Sequence, residues 1–521
     1  MNILFVASEN GALPGGQAGG IGDVIRDLPP ALAARGCNVT VMVPSHGFLH
    51  RTAGAARIGE CRFLFRGEPQ PAALYAVGPG PGANRVSQVV VDHPALQTGG
   101  SSGGPMPIYI HDPPERPFYS DANRFALFCA AVASAISNGL IESPDVVHLH
   151  DWHAALVALL ARFDPAAAAV GRPRIVFSIH NLAYQGIRPL RGSRSSLEAW
   201  FPHLPYDWAS VADPRWPDCI NPMAVGIRAA DRVHTVSPTY AEEIRRPSRA
   251  PRFYGGEGLE SDLARVHQEG RLVGILNGCT YPPPAVERSS YHWLLDLIRA
   301  ETLRWSGDTE SVSTAQFLAF ARGIDSRLRG QDPDVLLTGV GRVTEQKALM
   351  LMQPGSDGIP GLHAILEGIG PRGRLLWLGT GDSRFERFLT VTSARCDRFI
   401  FINGFSEGCA RALYASGDLF LMPSSFEPCG LSQLLAMRHG QPCVVHAVGG
   451  LKDTVRDGVN GFAFDGVTIE AQVDGFVAAT LDAVALKRGD SDAWRRICDN
   501  ARKTRFTWAM TAQRTIDDLY I

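Results

Sequence analysis

The chain has 521 residues, more than a single domain usually contains, and this length predicts two large domains with separate cores. Hydrophobic residues make up 45% and charged residues 20% of the chain, which excludes a disordered or fibrous protein. The 50 Lys and Arg residues nearly balance the 52 Asp and Glu residues, for a formal net charge of -2, and no basic run occurs. A dedicated nucleic-acid or anionic-membrane surface is therefore not expected, and small molecules or neutral polymers are better-matched ligands.

The cysteines and the first residues indicate the compartment. The ten cysteines include no CxxC pair and no tight cluster, which argues against a zinc site and against a disulfide framework. The opening MNILFVA lacks a basic segment and is typical of a first strand rather than of a signal peptide. No apolar run reaches the length of a membrane span. These patterns predict a cytoplasmic protein.

Short apolar runs rich in β-branched residues recur in the first half of the chain. A glycine-containing loop or a helical pattern follows each run, and this alternation predicts a parallel sheet with helices on both faces. The predicted strands are residues 3–7, 39–43, 146–149, 175–179, 233–236 and 273–276. Residues 75–106 are rich in Gly, Pro and Ser and are predicted to be surface excursions.

The alternation pauses between residues 282 and 330, where helical patterns cover 291–304 and 315–328. It then restarts with a second series of predicted strands at residues 335–338, 375–378, 399–402, 419–422 and 443–446. The sequence therefore predicts an α/β fold with two Rossmann-like, doubly wound domains. The predicted parts are a first domain at 1–280, a helical connection at 281–330, a second domain at 331–500 and a C-terminal helix at 501–521 that could pack on either domain.

A glycine-rich stretch, Gly11 to Gly22, follows the first strand, and a helix is predicted to begin near Asp23. Glycines let the backbone approach a ligand, and the N–H groups at a helix N-terminus attract phosphate. The stretch does not match G-x-G-x-x-G, so a dinucleotide site is the weaker functional interpretation. A flexible strand-to-helix loop without a function is the alternative.

Two cations, Arg342 and Lys347, come directly after the first strand of the second domain. At the carboxyl end of a strand they can converge on a diphosphate and offset the negative charge that grows on a leaving nucleotide. Two solvated surface cations are the alternative.

Glu427 lies in the segment PSSFEPCGLSQ, residues 423–433, which places a carboxylate and a glycine turn at the start of a helix. The N–H groups of such a helix can donate to sugar hydroxyls or phosphate, and Glu427 can accept hydrogen bonds from hydroxyls. Alternatively, Glu427 only complements the helix dipole.

The run HLHDWH at residues 148–153 has alternating histidines. It lacks a third, distant Cys or carboxylate ligand, so no metal site is predicted. Asp151 is expected to contact sugar and Trp152 to stack on it, although a purely structural loop remains the alternative. His180 and Asn277 each follow a predicted strand, where open α/β sheets place ligands, and a structural histidine is the alternative for His180.

Taken together, these segments resemble bacterial glycogen synthase and plant starch synthase from Met1 to Tyr520. The matching segments are GGIGDV at 19–24, HDWH at 150–153, SIHNLAYQG at 178–186, TVSPTYA at 235–241, GILNG at 274–278, LGTGD at 378–382, FEPCGL at 426–431 and GGLKDTV at 449–455. The resemblance implies the GT-B fold, in which two Rossmann-like domains face a central cleft. It also implies transfer of glucose from ADP-glucose or UDP-glucose to the nonreducing 4-hydroxyl of an α-1,4-glucan, with retention at the anomeric carbon.

The resemblance also implies roles for individual residues. Arg342 and Lys347 would neutralise the donor diphosphate, Glu427 would hold the glucose, and His180 would line the sugar pocket; these four are the expected catalytic residues. The expected donor-binding residues are Gly19, Gly20, Asp23, Asn277, Cys429, Gly430, Leu431, Ser432 and Thr454. Asp151 and Trp152 would lie on the acceptor side. The nucleotide sugar is a substrate, so no separate cofactor or metal is expected, and charge stabilisation and closure would replace a protein nucleophile.

The chain departs from the family pattern mainly by losing positive charge. It has Gln17, Ala224, Ser425 and Ala447 where the family usually has a cation, and Thr280 where the family has Asp. Each charge-assisted hydrogen bond to a diphosphate is worth roughly 1.5 to 3 kcal/mol, so these losses predict weaker donor binding. The chain is thus identified as a divergent member. The alternatives are a retaining glycosyltransferase for another sugar or acceptor, a noncatalytic glucan-binding homologue, and an oxidoreductase supported only by the generic Rossmann pattern.

Overall fold

The computed structural model describes residues 1–78, 86–97, 107–166, 172–281, 290–308, 324 and 332–521. The chain forms two compact units. Unit 1 comprises Met1–Ser248, Gly255–Gly278 and Thr507–Ile521, and unit 2 comprises Arg249–Tyr254 and Cys279–Phe506. The predicted first domain, residues 1–280, thus differs from unit 1 by a short segment that packs with unit 2 and by the end of the chain.

Unit 1 contains a nine-stranded sheet and a two-stranded ribbon. Its strands are β1 (Asn2–Val6), β2 (Asn38–Pro44), β3 (Ala56–Phe65), β4 (Glu68–Val77), β5 (Val86–Asp92), β6 (Val146–His150), β7 (Arg174–Ile179), β8 (Arg188–Pro189), β9 (Cys219–Ile220), β10 (Arg232–Thr235) and β11 (Leu272–Gly274). The sheet order is β11-β10-β7-β6-β1-β2-β5-β4-β3, and β8 pairs with β9. The strands from β11 to β5 are parallel, whereas β4 pairs antiparallel with β5 and β3.

Helices cover the sheet of unit 1. They are α1 (Gly20–Ala33), α2 (Tyr119–Ser137), α3 (Asp151–Ala154), α4 (Leu156–Phe163), α5 (Leu197–Trp200), α6 (Trp208–Val211), α7 (Pro222–Ala229), α8 (Pro238–Glu243) and α9 (Glu260–Gln268). In β1, Ile3, Leu4, Phe5 and Val6 are all apolar and buried, because both faces of the parallel sheet pack against helices. Phe5 on β1 and Ile25 on α1 are completely buried in this core.

Unit 2 has a six-stranded, fully parallel sheet in the order β14-β13-β12-β15-β16-β17. Its strands are β12 (Val335–Val340), β13 (Gly373–Gly379), β14 (Phe399–Asn403), β15 (Leu419–Met422), β16 (Cys443–His446) and β17 (Phe462–Phe464). Its helices are α10 (Tyr291–Asp308), α11 (Glu345–Met352), α12 (Gly361–Gly368), α13 (Ser383–Arg395), α14 (Glu407–Ser416), α15 (Ser432–Met437), α16 (Gly449–Thr454), α17 (Ile469–Gly489) and α18 (Ser491–Lys503).

The end of the chain returns to unit 1. Helix α19 (Trp508–Thr515) continues into a π-helical turn, Ile516–Tyr520, and both belong to unit 1. Trp508 and Leu519 are buried in the same core as β1 and α1. The sequence left open which domain this segment packs on, and burial of its apolar face against α1 decides the question.

All the predicted parallel strands are present, with ends within about two residues of the prediction. The predicted helix at 291–304 is the longer α10, and the one at 315–328 lies outside the described residues except for Ile324. The prediction of surface excursions at 75–106 is wrong for β5, in which Val90 and Val91 are completely buried between β2 and β4. Pairing with β2 and β4 stabilises this strand, and the composition of a segment carries no information about such pairing. Residues 79–85 and 98–106 of the same stretch lie outside the described part.

Among the described residues, no helix is both long and apolar enough to cross a membrane.

Candidate functional site

Each sheet has a point where the strand order reverses, and the predicted site residues follow the strands at these points. In unit 1, β1 lies between β2 and β6, and in unit 2, β12 lies between β13 and β15. Chain connections leave such a pair of central strands in opposite directions, which opens a crevice at their carboxyl ends. The glycine-rich loop follows β1 and Asp151 follows β6, whereas Arg342 follows β12 and Glu427 follows β15. The topology therefore gives each unit one candidate ligand-binding edge.

The glycine-rich loop of unit 1 is held by a carboxylate, Glu9, which is 1% exposed. Its Oε2 accepts the Gly19 N–H at 2.7 Å and also the Ala18 N–H, and its Oε1 accepts the Tyr109 hydroxyl at 3.1 Å. Burial raises the pKa of Glu9 against these hydrogen bonds. The Gly19 N–H is thus occupied by Glu9, while Gly20 begins α1, which no side chain caps.

Asp23 lies in the first turn of α1, beside this loop. It forms an ion pair with Arg26 at 2.9 Å and is partly buried, with 25% of its side chain exposed. Burial raises the pKa of Asp23, and hydrogen bonds from Gln17 and Arg26 oppose that shift. After the larger effect of burial, the charge of Asp23 also raises the pKa of Glu9, so this end of α1 combines helix-end N–H groups with two carboxyl groups.

Asp151 and His180 end adjacent strands, β6 and β7, and contact each other. The Asp151 carboxylate accepts the His180 backbone N–H at 2.7 Å, and Asp151 itself adopts a left-handed backbone conformation with φ of 55°. Burial raises the pKa of Asp151 to about 8, against hydrogen bonds from the N–H groups of His180 and Asn181. A strained backbone around a buried carboxyl group is typical of functional sites, and both residues lie where the sequence predicted.

The imidazole of His180 belongs to a cluster of buried histidines. Its Nε2 lies 2.9 Å from Nδ1 of His150, and His150 stacks on His148 with ring centroids 4.4 Å apart. Burial, and next the proximity of His234, lowers the pKa of His180 to about 3. The ring is therefore neutral at physiological pH and acts as a hydrogen-bonding group rather than as a cation.

Trp152 does not agree with the predicted sugar stacking. Its indole is 4% exposed and packs edge-on against Phe118 and Phe125, with ring centroids 5.5 Å away in both cases. A Cβ atom at Gly186 would lie 2.1 Å from the Trp152 ring, so this glycine allows a loop to pass over the indole. Trp152 is a packing residue because its ring faces have no access for a sugar.

Asn277 follows β11 and is 7% exposed. Within the described part of the chain its side-chain amide makes no hydrogen bond. The amide atoms are not among the solvent-inaccessible atoms that lack a partner, so they can hydrogen-bond water or a ligand, and the place of Asn277 in the sugar pocket stays a prediction.

In unit 2, the structure brings together Lys347 and Glu427, which are 80 residues apart in sequence. They form an ion pair whose side chains are 19% and 9% exposed, respectively, and the Ser424 hydroxyl donates a further hydrogen bond to Glu427 at 3.1 Å. Arg342 is exposed, and its side chain makes no ion pair or hydrogen bond with any described residue. The site therefore offers one cation free for an anionic ligand and a second cation shared with a carboxylate.

Two glycines at the start of α16 pack against the Glu427 loop. The Gly450 N–H donates to the Glu427 carbonyl at 3.0 Å. A Cβ atom at Gly449 would lie 2.0 Å from the Glu427 carbonyl oxygen, and one at Gly450 would lie 2.2 Å from the Cys429 carbonyl oxygen. Any side chain at either position would displace backbone, so the glycines fix where Glu427 is presented.

The remaining predicted donor-binding residues form the turn that leads into α15. Gly430 has a φ of 78°, and the Gln433 amide donates to the carbonyls of Cys429 and Gly430 at 3.1 and 3.0 Å. Ser432 accepts a hydrogen bond from Tyr414 at 3.1 Å and begins α15, and no side chain caps this helix after Leu431.

Thr454 is 1% exposed and donates to the Gly450 carbonyl at 2.6 Å. The structure thus gives Thr454 partners inside the protein rather than a position facing a ligand.

Residues 2–265 match the family model of the starch synthase catalytic domain, and residues 332–485 match the model of glycosyl transferases group 1. A glycogen synthase of Anaeromyxobacter sp. (strain Fw109-5) is 36% identical over 525 residues, which cover 98% of each chain. A glycogen synthase of Streptococcus gordonii is 32% identical over 530 residues, which cover 100% of this chain and 99% of the relative. The chain belongs to the glycogen synthase and starch synthase family.

Solved structures support the fold of this family. The catalytic domain of starch synthase IV from Arabidopsis thaliana, bound to ADP and acarbose, has a TM-score of 0.74 at 24% identity and covers 100% of this chain and 98% of its own. Sucrose-phosphate synthase from Thermosynechococcus elongatus has a TM-score of 0.52 at 17% identity, and the match covers 99% of this chain and 98% of the synthase. The predicted family, α/β fold class of GT-B type and enzyme class are confirmed: the chain is a glycosyltransferase that transfers a glucosyl group from a nucleotide sugar.

The positions at which this glycogen synthase homologue lacks a family cation differ in burial. Ala224 on α7 is completely buried and Ser425 is 3% exposed, so both belong to the packed interior. Gln17 is exposed, and its side chain hydrogen-bonds Asp23. Ala447 is partly exposed, and Thr280, which replaces an Asp rather than a cation, is exposed. A cation would therefore have no room at the buried positions, Ala224 and Ser425, whereas the more exposed positions, Gln17 and Ala447, could accommodate one.

Glu9 and Tyr109 are site residues that the sequence did not indicate. Glu9 follows β1 closely, and the rule that identified Arg342, a charged residue just beyond a strand, would have found it. Tyr109 comes after a stretch without local pattern, and only the fold brings its hydroxyl to Glu9. In the described residues of this family member, no group of three or more His, Cys, Asp and Glu side chains is arranged to hold a metal ion.

Proposed function

We propose that the protein elongates an α-1,4-glucan, transferring glucose from ADP-glucose or UDP-glucose to a nonreducing 4-hydroxyl with retention. The observation that carries the proposal is the arrangement at the carboxyl ends of β12 and β15, where the Arg342 side chain has no partner among the described residues and Lys347 pairs with Glu427. A diphosphate needs cations as the glycosidic bond to the nucleotide breaks, and a glucose needs hydrogen-bond acceptors for its hydroxyls.

The Lys347 and Glu427 pair suits both needs in turn. When a diphosphate approaches Arg342, Lys347 can exchange its carboxylate partner for phosphate oxygens. Glu427 then keeps the Ser424 hydrogen bond and gains free acceptor sites for glucose hydroxyls. The described part of the site offers cations and positioned backbone amides, which favours departure of the diphosphate with same-face attack by the acceptor. In this proposal the enzyme needs no cofactor or metal and acts in the cytoplasm.

In unit 1, we assign His180 and Asn277 to the sugar and Asp151 to the acceptor side. His180 is neutral, and the Asn277 amide makes no hydrogen bond with any described residue, so both can exchange hydrogen bonds with hydroxyls. Gly20 and Asp23 would contact the donor through the end of α1.

A second candidate is the same retaining chemistry with another sugar or acceptor. The loss of cations at Gln17 and Ala447 favours it, because these positions are open and a weaker positive field would suit a different donor.

The experiment is release of ADP or UDP from each glucose donor, with and without glycogen, by the intact protein and by Glu427→Ala. Glu407→Ala is the matched control, since the Glu407 side chain is 75% exposed on α14. Glycogen-dependent release from one donor, lost only in Glu427→Ala, supports the proposal and identifies the nucleotide. The anomeric configuration of the product, determined by NMR, tests retention, and absence of release from both donors would favour the second candidate.

A further inference from the structure

Arginines begin neighbouring parallel strands at the amino edge of the unit 1 sheet, opposite to the edge that carries the candidate active-site residues. Arg174 is the first residue of β7, Arg232 is the first residue of β10, and Arg271 immediately precedes β11. These three strands are adjacent in the sheet. Because parallel strands start at a common edge, the arginine side chains project from one side of the molecule.

A surface pocket of about 430 Å³ lies at this edge, and its lining residues are Arg172, Pro173, Arg174, Asp231 and Arg232. The lining carries three guanidinium groups against one carboxylate. The Asp231 carboxylate already accepts the N–H of Ile175 at 2.8 Å. The pocket therefore has a net positive charge and falls within the usual volume range of small-molecule sites, about 300 to 1,000 Å³.

Many guanidinium donors in the pocket have no acceptor. The side chains of Arg172 and Arg174 make no hydrogen bond or ion pair with any residue that the structure describes. Arg232 donates one Nη to the Gly270 carbonyl at 2.8 Å, and its Nε is buried without a partner. A buried donor without an acceptor is unfavourable, so this donor favours a bound acceptor group.

Arg271 provides an internal comparison. It forms an ion pair with Glu269 at 2.6 Å and donates to the Ala230 carbonyl at 2.6 Å, so its charge is compensated inside the protein. Among the described residues, Arg232 on the adjacent strand has no such carboxylate partner. Uncompensated charge is therefore not shared by every arginine at this edge.

We propose that this pocket binds the phosphate group of a small phosphorylated molecule. A phosphate dianion supplies several acceptor oxygens, and guanidinium groups bind such oxygens with paired, charge-assisted hydrogen bonds. The pocket lies at the amino ends of the strands, whereas Asp151 and His180 follow the carboxyl ends of β6 and β7. A ligand in this pocket therefore does not compete with the nucleotide sugar for those residues.

The test is binding of inorganic phosphate and of glycerol 3-phosphate to the full chain by isothermal titration calorimetry at constant ionic strength. We expect Arg174→Gln and Arg232→Gln each to raise the Kd about tenfold. Arg62→Gln is the matched surface control, because the Arg62 side chain is 82% exposed and lies on β3. Lys347→Gln tests whether phosphate binds at the diphosphate site instead, and we expect no change in that variant.

Arg232→Lys retains the charge but not the paired geometry, and we expect an intermediate Kd for a variant that folds. Tighter binding of glycerol 3-phosphate than of inorganic phosphate would identify a phosphorylated metabolite as the ligand, and equal binding would identify free phosphate. Binding that Arg174→Gln and Arg232→Gln leave unchanged, or no binding by the intact protein, would overturn the proposal. The experiment measures no sugar transfer, so its outcome is independent of the proposed glucan synthesis.

Discussion

The Nδ1 atom of His150 lies 2.9 Å from the Nε2 atom of His180, and both rings are buried. If both imidazoles were protonated, N–H would face N–H and two positive charges would share an apolar environment. Burial accordingly lowers the pKa of His180 to about 3, and it lowers that of the neighbouring His153 to about 3 and of His234 to about 4. The pair therefore requires neutral histidines.

This requirement predicts loss of stability in mild acid. The unfolded histidines have a pKa near 6.5, above their folded values, so the unfolded state binds more protons as the pH falls from about 6.5. Each such histidine adds a slope of about 1.4 kcal/mol per pH unit in the free energy of unfolding. Urea unfolding of the intact protein and of two variants at pH 7, 6 and 5 measures this slope. His153→Gln should reduce the slope, whereas His267→Gln, on the exposed side of α9, should leave it unchanged; equal slopes in all three proteins would contradict the prediction.

Arg342 and Lys347 should respond differently to truncation, although both are assigned to the diphosphate. Arg342→Ala removes an exposed, unpaired side chain, so we expect a higher KM for the donor and an unchanged Tm. Lys347→Ala also leaves the buried Glu427 without its cation, so we expect activity to fall and stability to decrease by about 3 kcal/mol. Thermal unfolding and donor kinetics measure both effects. The double variant Lys347→Ala/Glu427→Ala should regain part of the lost Tm, and a further decrease would argue against the ion pair.

Gly450→Ala should disrupt the Glu427 loop from outside it. The new methyl group would lie 2.2 Å from the Cys429 carbonyl oxygen, so the backbone of the loop must move. We expect at least a hundredfold loss of kcat/KM, because a displacement near 1 Å at a catalytic group has an effect of that order. Gly408→Ala on α14 is the control, since its nearest contact would be the Ser406 hydroxyl at 3.6 Å. Comparable activity of the two variants would show that Gly450 has no positioning role.

Restoring a cation should strengthen donor binding at an exposed position and lower stability at a buried one. Gln17 is exposed beside Asp23, so Gln17→Lys should lower the donor KM about tenfold or more, roughly the effect of one charge-assisted hydrogen bond, without changing the Tm. Ser425 is 3% exposed, so Ser425→Arg should lower the Tm by forcing a charged side chain into the packed loop. Donor titrations and thermal unfolding of both variants measure this contrast. A raised KM in Gln17→Lys would indicate that the loss of this cation is adaptive.

The sequence by itself determined the elements and the chemical residue types. Residues 3–6 and Leu419–Met422 are apolar at every position, which is typical of a strand buried on both faces, so these strands could be predicted from the local sequence. The charged residues that follow strands, Arg342 and Glu427, could be assigned to ligand binding because strand ends are where open sheets bind ligands.

The tertiary structure alone decided which of these residues meet. The pairing of Lys347 with Glu427 spans 80 residues, and the hydrogen bond between His148 and Tyr520, at 2.6 Å, spans 372. The sheet order determines such contacts, and local propensity carries no information about it. The same limit explains why β5 was predicted as a surface excursion and Trp152 as a sugar-stacking residue: burial depends on what the rest of the chain packs against a segment, and no property of the segment itself specifies that.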